Sequence, residues 1–444
     1  MGRLFGTDGV RGVANLDLTP ELAFALGRAG AYVLTNGKQR PQLVVGKDTR
    51  QSGDMLEAAL IAGILSVGGD VLSCGVLPTP AVAYLTLVLG ADAGVMISAS
   101  HNPVQDNGIK FFSAQGYKLP DEIEDRIETL LTEHNLPRPT GAQVGKKRDL
   151  PGAAALYLKH LQEELGADLS GFNIVVDTAH GAAYQVAPEI LKRLEAEVTV
   201  INAAPTGTNI NVHCGSTHLE ALQQAVREVK ADLGLAFDGD ADRLLAVDER
   251  GQVVDGDQIM AILALWQKEK GLLKGNGLVA TSMSNMGLEV ALREHGLELI
   301  RTQVGDRYVL EELQRRGWNL GGEQSGHIIN LNYNTTGDGL STALQLLNVL
   351  AEKRQSLSEL AAVVKHFPQL MINVPVKSKD GWQENEQIKA AIIKAEQTLH
   401  GRGRILVRPS GTEPVIRVMV EGEEEGLLKD LADKIAAVIT EQLG

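Results

Sequence analysis

The stretch GVMISASHNPVQDNGIKFF, from Gly94 to Phe112, is an apolar run that breaks off into Ser98-Ala99-Ser100-His101-Asn102-Pro103 and turns apolar again after Lys110. The run Gly94–Ile97 reads as a buried strand, and Pro103 keeps the chain from continuing as regular strand. Ligands of α/β sheets bind where strand ends present their loops. A core strand that delivers Ser100 into a polar loop therefore makes Ser100 a candidate nucleophile, although a capping serine reads the same way in isolation.

On both sides of this stretch, strand-like and helix-like segments alternate, which predicts parallel or mixed sheets covered by helices. Thr19-Pro20 opens a helix with an N-cap and a proline at N1, and Leu22, Leu26, Ala29 and Val33 recur at helical spacing. Strands are expected at Gln42–Gly46 and Asp70–Cys74, with helices from Ser52 to about Val67 and at Thr79–Leu89. Similar alternation follows the polar Pro137–Gly152 stretch: strands at Asn173–Asp177, Val198–Asn202, Asp232–Phe237, Gly277–Thr281 and Leu297–Arg301, helices at Ala182–Glu195 and Leu288–His295. From about Phe367 the pattern changes to three strands and two helices. The expectation is an α/β fold of three similar α/β domains, 1–153, 154–253 and 254–366, and a smaller α+β domain, 367–444.

The 444 residues suffice for several cores, and 44% hydrophobic with 22% charged residues is a globular composition. A net charge of −14 argues against a nucleic-acid partner, since phosphate-backbone affinity needs a basic surface. The chain shows no membrane-length apolar segment and no signal-peptide core. Its two cysteines, Cys74 and Cys214, form no metal-ligand spacing and no disulfide framework. These features predict a cytoplasmic protein without a membrane partner.

In DLGLAFDGDADRLLAVD, Asp238, Asp240 and Asp242 stand two residues apart. Three carboxylates so close repel one another unless an oxygen-preferring cation sits between them, with Mg2+ the obvious choice. Strand neighbours at i and i+2 lie about 6.6 Å apart, so the loop must curl to bring them to one ion; Gly239 and Ala241 leave room. A calcium EF-hand would put Glu249 at position 12, but position 6 is Arg243 where that loop needs glycine, and both flanks look like strands. A solvated acidic turn is the bland alternative.

RPSGTEPVIR, from Arg408 to Arg417, places a Ser-Gly-Thr turn between two arginines, suited to a phosphate dianion; it reads equally well as a hairpin connection. FGTDGVRG, from Phe5 to Gly12, is a second phosphate candidate. Arg11 and Lys110 are cations near glycines, which by themselves are more often solvated surface residues. GGEQSGH, from Gly321 to His327, closes a strand-like stretch, and alternation would aim Glu323, Ser325 and His327 to one side as a polyol-binding loop requires; a polar turn fits it equally. His101 is expected to be poorly placed to deprotonate Ser100, because neighbours on an extended chain point apart. With no G-x-S-x-G elbow present, hydrolase chemistry is demoted. Gly275-x-Gly277-x-x-Ala280 precedes its strand instead of following one, so a dinucleotide site is rejected too.

Taken in order, ISASHNP with DNGIK, DGDADR, GGEQSGH and RPSGTEP resemble the four loops of the α-D-phosphohexomutase superfamily, along nearly the whole chain. The FGTDGVRG start, the ISASHNP form and Gln324 resemble its bacterial amino-sugar branch; the phosphoglucomutase/phosphomannomutase branch is the alternative, and a non-catalytic sugar-phosphate-binding protein a more distant one. The resemblance implies four domains around a central cleft, the first three α/β with mixed sheets and the last similar to a TATA-box-binding-protein fold; homodimers are common among similar proteins. It implies that Ser100 carries a phosphoryl group completing the coordination of one Mg2+ held by Asp238, Asp240 and Asp242. Phosphoserine at Ser100 would phosphorylate O1 of glucosamine 6-phosphate, giving glucosamine 1,6-bisphosphate. That intermediate reorients and returns its 6-phosphate to the enzyme, leaving a 1-phosphate for UDP-N-acetylglucosamine and peptidoglycan precursors. By the same resemblance Arg408, Ser410, Gly411, Thr412 and Arg417 bind the non-reacting phosphate, and Glu323 and Ser325 grip sugar hydroxyls. Lys110, Arg11, His101 and His327 lie near the reacting groups, with Lys110 or Arg11 assisting proton transfer, and Arg243 supports the serine phosphate.

Overall fold

The computed structural model describes residues 3–6, 8–36, 38–132, 136–400, 402–410 and 414–444. The first sheet contains β1 (Val10–Val13), β2 (Gln42–Lys47), β3 (Asp70–Val76), β4 (Ala93–Ile97), β5 (Asp106–Ser113) and β6 (Lys147–Asp149), in the order β1-β5-β4-β2-β3-β6. β2, β3 and β4 are parallel, while β5 runs antiparallel to both β4 and β1. All five residues of β4 are buried, as expected of a strand covered on both faces.

Helices α1 (Pro20–Leu34), α2 (Ser52–Ser66) and α3 (Thr79–Val88) cover this sheet. Thr19 caps α1 by accepting from Leu22 N, with Pro20 at N1. The α1 and α2 backbones approach so closely that a Cβ on Gly27 would stand 2.2 Å from Leu60 O, and one on Gly63 2.2 Å from Phe24 O. Any side chain there would push the two helices apart and open the core of Leu26, Leu60 and Ile64.

The second sheet has the order β11-β10-β9-β7-β8, from β7 (Asn173–Asp177), β8 (Glu197–Ile201), β9 (Leu233–Phe237), β10 (Leu244–Asp248) and β11 (Val253–Val254). β7 pairs in parallel with β8 and β9, and β9 with β10 antiparallel. The third sheet combines β12 (Gly277–Thr281), β13 (Glu298–Thr302), β14 (Leu320–Gly322) and β15 (Ile328–Asn330), with a parallel β12–β14 pair and an antiparallel β14–β15 pair. In the last, wholly antiparallel sheet, β18 (Val415–Gly422) lies between β16 (Gln369–Pro375) and β17 (Gly403–Pro409). The architecture is thus three α/β domains with mixed sheets and a small C-terminal domain with an antiparallel sheet.

Two compact units emerge: residues up to Thr281 with Ile300–Val363, and Ser282–Leu299 with Val364–Gly444. Among the described residues no helix is long and apolar enough to cross a membrane. One expected helix is shorter than its apolar pattern: Val186–Arg193 replaces Ala182–Glu195. The preceding residues are held in turns, with Gly181 N on Thr178 O and Ala182 N on Gly239 O at 2.8 Å.

Candidate active site

Where β4 ends, Ser100 takes a left-handed backbone conformation, φ 53°. For a non-glycine residue this costs of order 1–3 kcal/mol and persists only where its surroundings hold it. Arg50, fully buried at the start of α2, supplies that hold: its guanidinium donates to the carbonyl oxygens of Ser100, Asn102, Pro103 and Asp106 at 2.6–3.1 Å. Asp48 neutralises it through Arg50 Nε at 2.9 Å and also accepts from Ser98 Oγ at 2.6 Å. Ser98 Oγ in turn accepts from Ser100 N at 2.9 Å.

The left-handed turn overturns one expectation. His101 Nδ1 lies 3.3 Å from Ser100 Oγ, because the neighbours are not on an extended chain. Burial, then the charges of Arg243 and Arg11, lower the imidazole to about 4. Ser100 Oγ itself donates to Asp238 Oδ2 at 2.6 Å.

Asp238, Asp240 and Asp242 sit on the tight β9–β10 hairpin, which supports the rejection of a helix-flanked calcium loop. Glu249 turns away to accept from Ser358 Oγ at 2.5 Å. The hairpin curls as required: Ala241 is left-handed, φ 56°, and a Cβ on Gly239 would come 2.5 Å from Ser100 O. Glycine thus lets the acidic loop touch the serine loop.

The three aspartates offer oxygens within 4.8 Å of one another, all buried. An octahedral ion with ligands at ~2.1 Å asks for separations of about 3–4.2 Å. Burial and the charges of Asp242 and Asp240 push Asp238 well above the usual carboxylate range, and Asp240 Oδ1 is buried without a hydrogen-bond partner. An orphaned buried carboxylate oxygen is costly, and a divalent cation would satisfy it. The donor set, three buried carboxylates, fits a hard divalent metal ion.

Lys110 was the residue most easily mistaken for a surface cation. Its side chain is 2% exposed, and Nζ lies 2.8 Å from Asp240 Oδ2, 2.8 Å from Asp8 Oδ2 and 3.6 Å from Asp242 Oδ2. Burial disfavours its charge, but Asp240, Asp8 and Asp242 outweigh this and raise its pKa. Arg11 Nη2 reaches Asp8 Oδ2 at 2.5 Å. Lys118 pairs with both Asp8 and Asp306. His327 lies between Asp242, at 3.4 Å, and Asp306, at 3.1 Å; against the effect of burial these two carboxylates raise it to about 10.

Glu323 and Ser325 do not alternate along a strand. They occupy the turn between β14 and β15, where Ser325 Oγ donates to Glu323 Oε2 at 3.2 Å. A strand must pair, and Gly326 N closes the turn on Glu323 O at 3.0 Å. Gln324 points to the helix-capping Asp255 at 3.0 Å, so its role is to anchor the turn. Arg243 follows the acidic loop, its N donating to Asp238 Oδ1 at 3.3 Å. A cavity of about 400 Å³ collects Arg11, Ser100, His101, Arg243, Glu323 and His327 on its wall.

Within the second unit, Arg408 and Arg417 face each other across β17 and β18. Like charges directly opposite cost energy, and burial, then Arg417, lower the Arg408 pKa. Arg417 Nη2 donates to Ser410 Oγ at 3.5 Å, and Lys379 Nζ to Ser410 O at 2.7 Å. A phosphate would relieve the repulsion. Gly411 and Thr412 lie outside the described residues.

Sequence reasoning missed Arg50, Asp8, Lys118, Asp306 and Asn211, whose Nδ2 donates to Ser100 O at 2.9 Å. For Lys110 a signal existed: GIKFF continues an apolar strand on both sides of the lysine, which leaves no solvated face for it.

Family models described as phosphoglucomutase/phosphomannomutase match the chain four times: alpha/beta/alpha domain I over residues 2–138, domain II over 155–251, domain III over 255–367 and the C-terminal domain over 371–438. The phosphoglucosamine mutase of Thermoanaerobacter sp. (strain X514) is 58% identical over all of both chains. That of Moorella thermoacetica is 59% identical over 97% of this chain and 98% of its own. Among solved structures, a phosphoglucomutase/phosphomannomutase family protein from Burkholderia thailandensis superposes with a TM-score of 0.82 at 24% identity, covering 99% of this chain and 97% of the other. A phosphomannomutase-like protein from Thermus thermophilus gives 0.78 at 25%, covering 98% of each.

Proposed function

The chain belongs to the phosphoglucomutase/phosphomannomutase family, and from that premise we propose that it interconverts glucosamine 6-phosphate and glucosamine 1-phosphate through a phosphoserine at Ser100. It is an isomerase of the phosphoglucosamine mutase type. The observation that carries the catalytic reading is the 2.6 Å contact of Ser100 Oγ with Asp238 inside a buried aspartate triplet, because a transferable phosphoryl group on that oxygen meets a cation site at once.

Asp238, Asp240 and Asp242 would hold Mg2+, together with an oxygen of the serine phosphate. When bound, the ion would neutralise charge on the phosphoryl group as it moves. In the forward direction the bond between Ser100 Oγ and phosphorus breaks while the bond from sugar O1 to phosphorus forms, and the O1 proton ends on the departing Ser100 Oγ, with the charged Lys110 and Arg11 assisting beside the reacting oxygens. His101 lies against Ser100 Oγ, and Arg243 and His327 add positive charge around it. Glu323 and Ser325 grip sugar hydroxyls shared by both orientations of glucosamine 1,6-bisphosphate. Arg408, Ser410, Gly411, Thr412 and Arg417 bind the phosphate that is not reacting.

The domain limits 1–153, 154–253, 254–366 and 367–444 belong to this reading. So do a cytoplasmic location, which suits two free thiols, and a homodimer.

A 31P NMR time course with glucosamine 6-phosphate, Mg2+ and a trace of hexose 1,6-bisphosphate tests the proposal. The wild type builds up a 1-phosphate resonance and Ser100→Ala builds none. Free phosphate as the sole product would replace the mutase with a phosphatase, and equal rates on glucose 6-phosphate would remove the amine preference.

A further inference from the structure

Asp240 differs from the other two aspartates in how its side chain is held. Thr79, the first residue of α3 and fully buried, donates from Oγ1 to Asp240 Oδ2 at 2.5 Å. Its backbone N–H donates to Asp240 O at 2.9 Å. Lys110 Nζ reaches the same Oδ2 at 2.8 Å. Two donors therefore fix one oxygen of the carboxylate, while the other, Oδ1, stays buried with no hydrogen-bond partner. A carboxylate gripped at one oxygen has its plane and its remaining lone pairs fixed in space.

We infer that Thr79 is a positioning residue for the divalent cation: its hydroxyl turns Asp240 so that Oδ1 is the ligand oxygen. The inference rests on the reading of the aspartate triplet as a Mg2+ site. Thr79 belongs to the helix that covers the first sheet, and Asp240 to a hairpin of the second. Affinity for the ion thereby depends on the seating of α3 against the acidic loop, and through Lys110, on β5, the serine-bearing sheet makes a second contact with the same oxygen. Cation binding and the placement of Ser100 become linked, so a displaced α3 would loosen the ion before any ligand carboxylate was altered. Hydrogen-bond partners of metal ligands typically change affinity about 10–100-fold when removed.

Thr79→Val replaces the hydroxyl with a methyl of nearly the same size, and Thr79→Ser keeps the hydroxyl while losing the methyl. Binding is read by titrating Mn2+ into the full-length, dephosphorylated protein and following the free-ion EPR signal, with no substrate and no turnover. The expected result is one Mn2+ per wild-type chain, affinity weakened about 10–100-fold in Thr79→Val, and affinity within about threefold of wild type in Thr79→Ser. Thr79→Val should leave the KM for glucosamine 6-phosphate in place, because a collapsed cleft would move substrate and ion affinity together. Thr79→Ala, which introduces no new group, serves as the second variant if the valine protein does not fold. Wild-type affinity in the valine or alanine protein, or equal weakening in the serine one, overturns the inference. Absence of Mn2+ binding in the wild type overturns the metal reading itself.

Discussion

Arg50 Nη2 donates to Ser100 O at 2.9 Å, and the same guanidinium serves three further carbonyls of the serine loop. Arginine suits this task because five N–H donors radiate from a rigid plane. The bonds run to backbone, so they fix where the loop lies, and the left-handed Ser100 then points Oγ at Asp238.

Arg50→Lys keeps the charge beside Asp48 but concentrates three donors on one atom, which cannot reach four carbonyls spread around a loop. Positional errors near 1 Å at a reacting centre can cost about 10²-fold in rate. The expected outcome is a kcat lowered by about that factor with KM changed less than about threefold, and a larger share of phosphoserine lost to water. Steady-state kinetics with a parallel free-phosphate assay measures both. An unchanged kcat, or a loss confined to KM, would refute a positioning role.

The two thiols give a pH-dependent prediction away from the site. Burial, then the nearby charge of Glu57, pushes the Cys74 thiol up to about 12, and burial, then Asp177, does the same for Cys214. The thiolate is the reactive form. At pH 8 a thiol at about 12 holds roughly a thousandfold less thiolate than one at 9, and the fraction rises about tenfold per pH unit until 12. Iodoacetamide at pH 8 should modify neither cysteine of the native protein while labelling both promptly in guanidinium chloride. Native labelling should quicken steadily from pH 8 to 10, as intact-mass spectrometry can follow. A native rate that levels off near pH 9 would show an ordinary thiol.

Legibility in the sequence followed how local each feature is. Gly94–Ile97 announced β4 by its apolar run, and the aspartate triplet announced itself by spacing, because both patterns lie within one short segment. Thr79, Arg50 and Asp306 meet the site from distant turns; in the sequence each is one polar residue beside a helix start, and periodicity says nothing of its partner. His101 was misjudged because the argument from alternation assumes an extended backbone, and Ser100 is left-handed. Glu323 reaches the cavity wall, and Ser325 reaches Glu323, through a hairpin turn instead of a strand face, so the two fall together for a reason other than period two. Resemblance carried what spacing did not: the order of four loops.

A further test concerns the second unit alone. Arg404 on β17 donates to Glu421 Oε2 at 2.5 Å, to Ser282 O at 2.7 Å and to Ser284 O at 2.6 Å. Glu421, on β18 and fully buried, also accepts from Met286 N at 2.9 Å. One ion pair therefore ties Ser282–Leu299 to the C-terminal antiparallel sheet. Removing the cation leaves a buried carboxylate uncompensated, which typically costs about 3–5 kcal/mol, whereas replacing both partners with apolar residues is often close to neutral. Arg404→Met should accelerate amide hydrogen exchange in 282–299 and 415–422 without changing peptides from the first sheet. Arg404→Met with Glu421→Met should recover most of the lost protection. Faster exchange across the whole chain in the single variant would mean that Arg404 supports global stability, and no recovery in the double variant would mean that its bonds to the two serine carbonyls, not the ion pair, hold the segment.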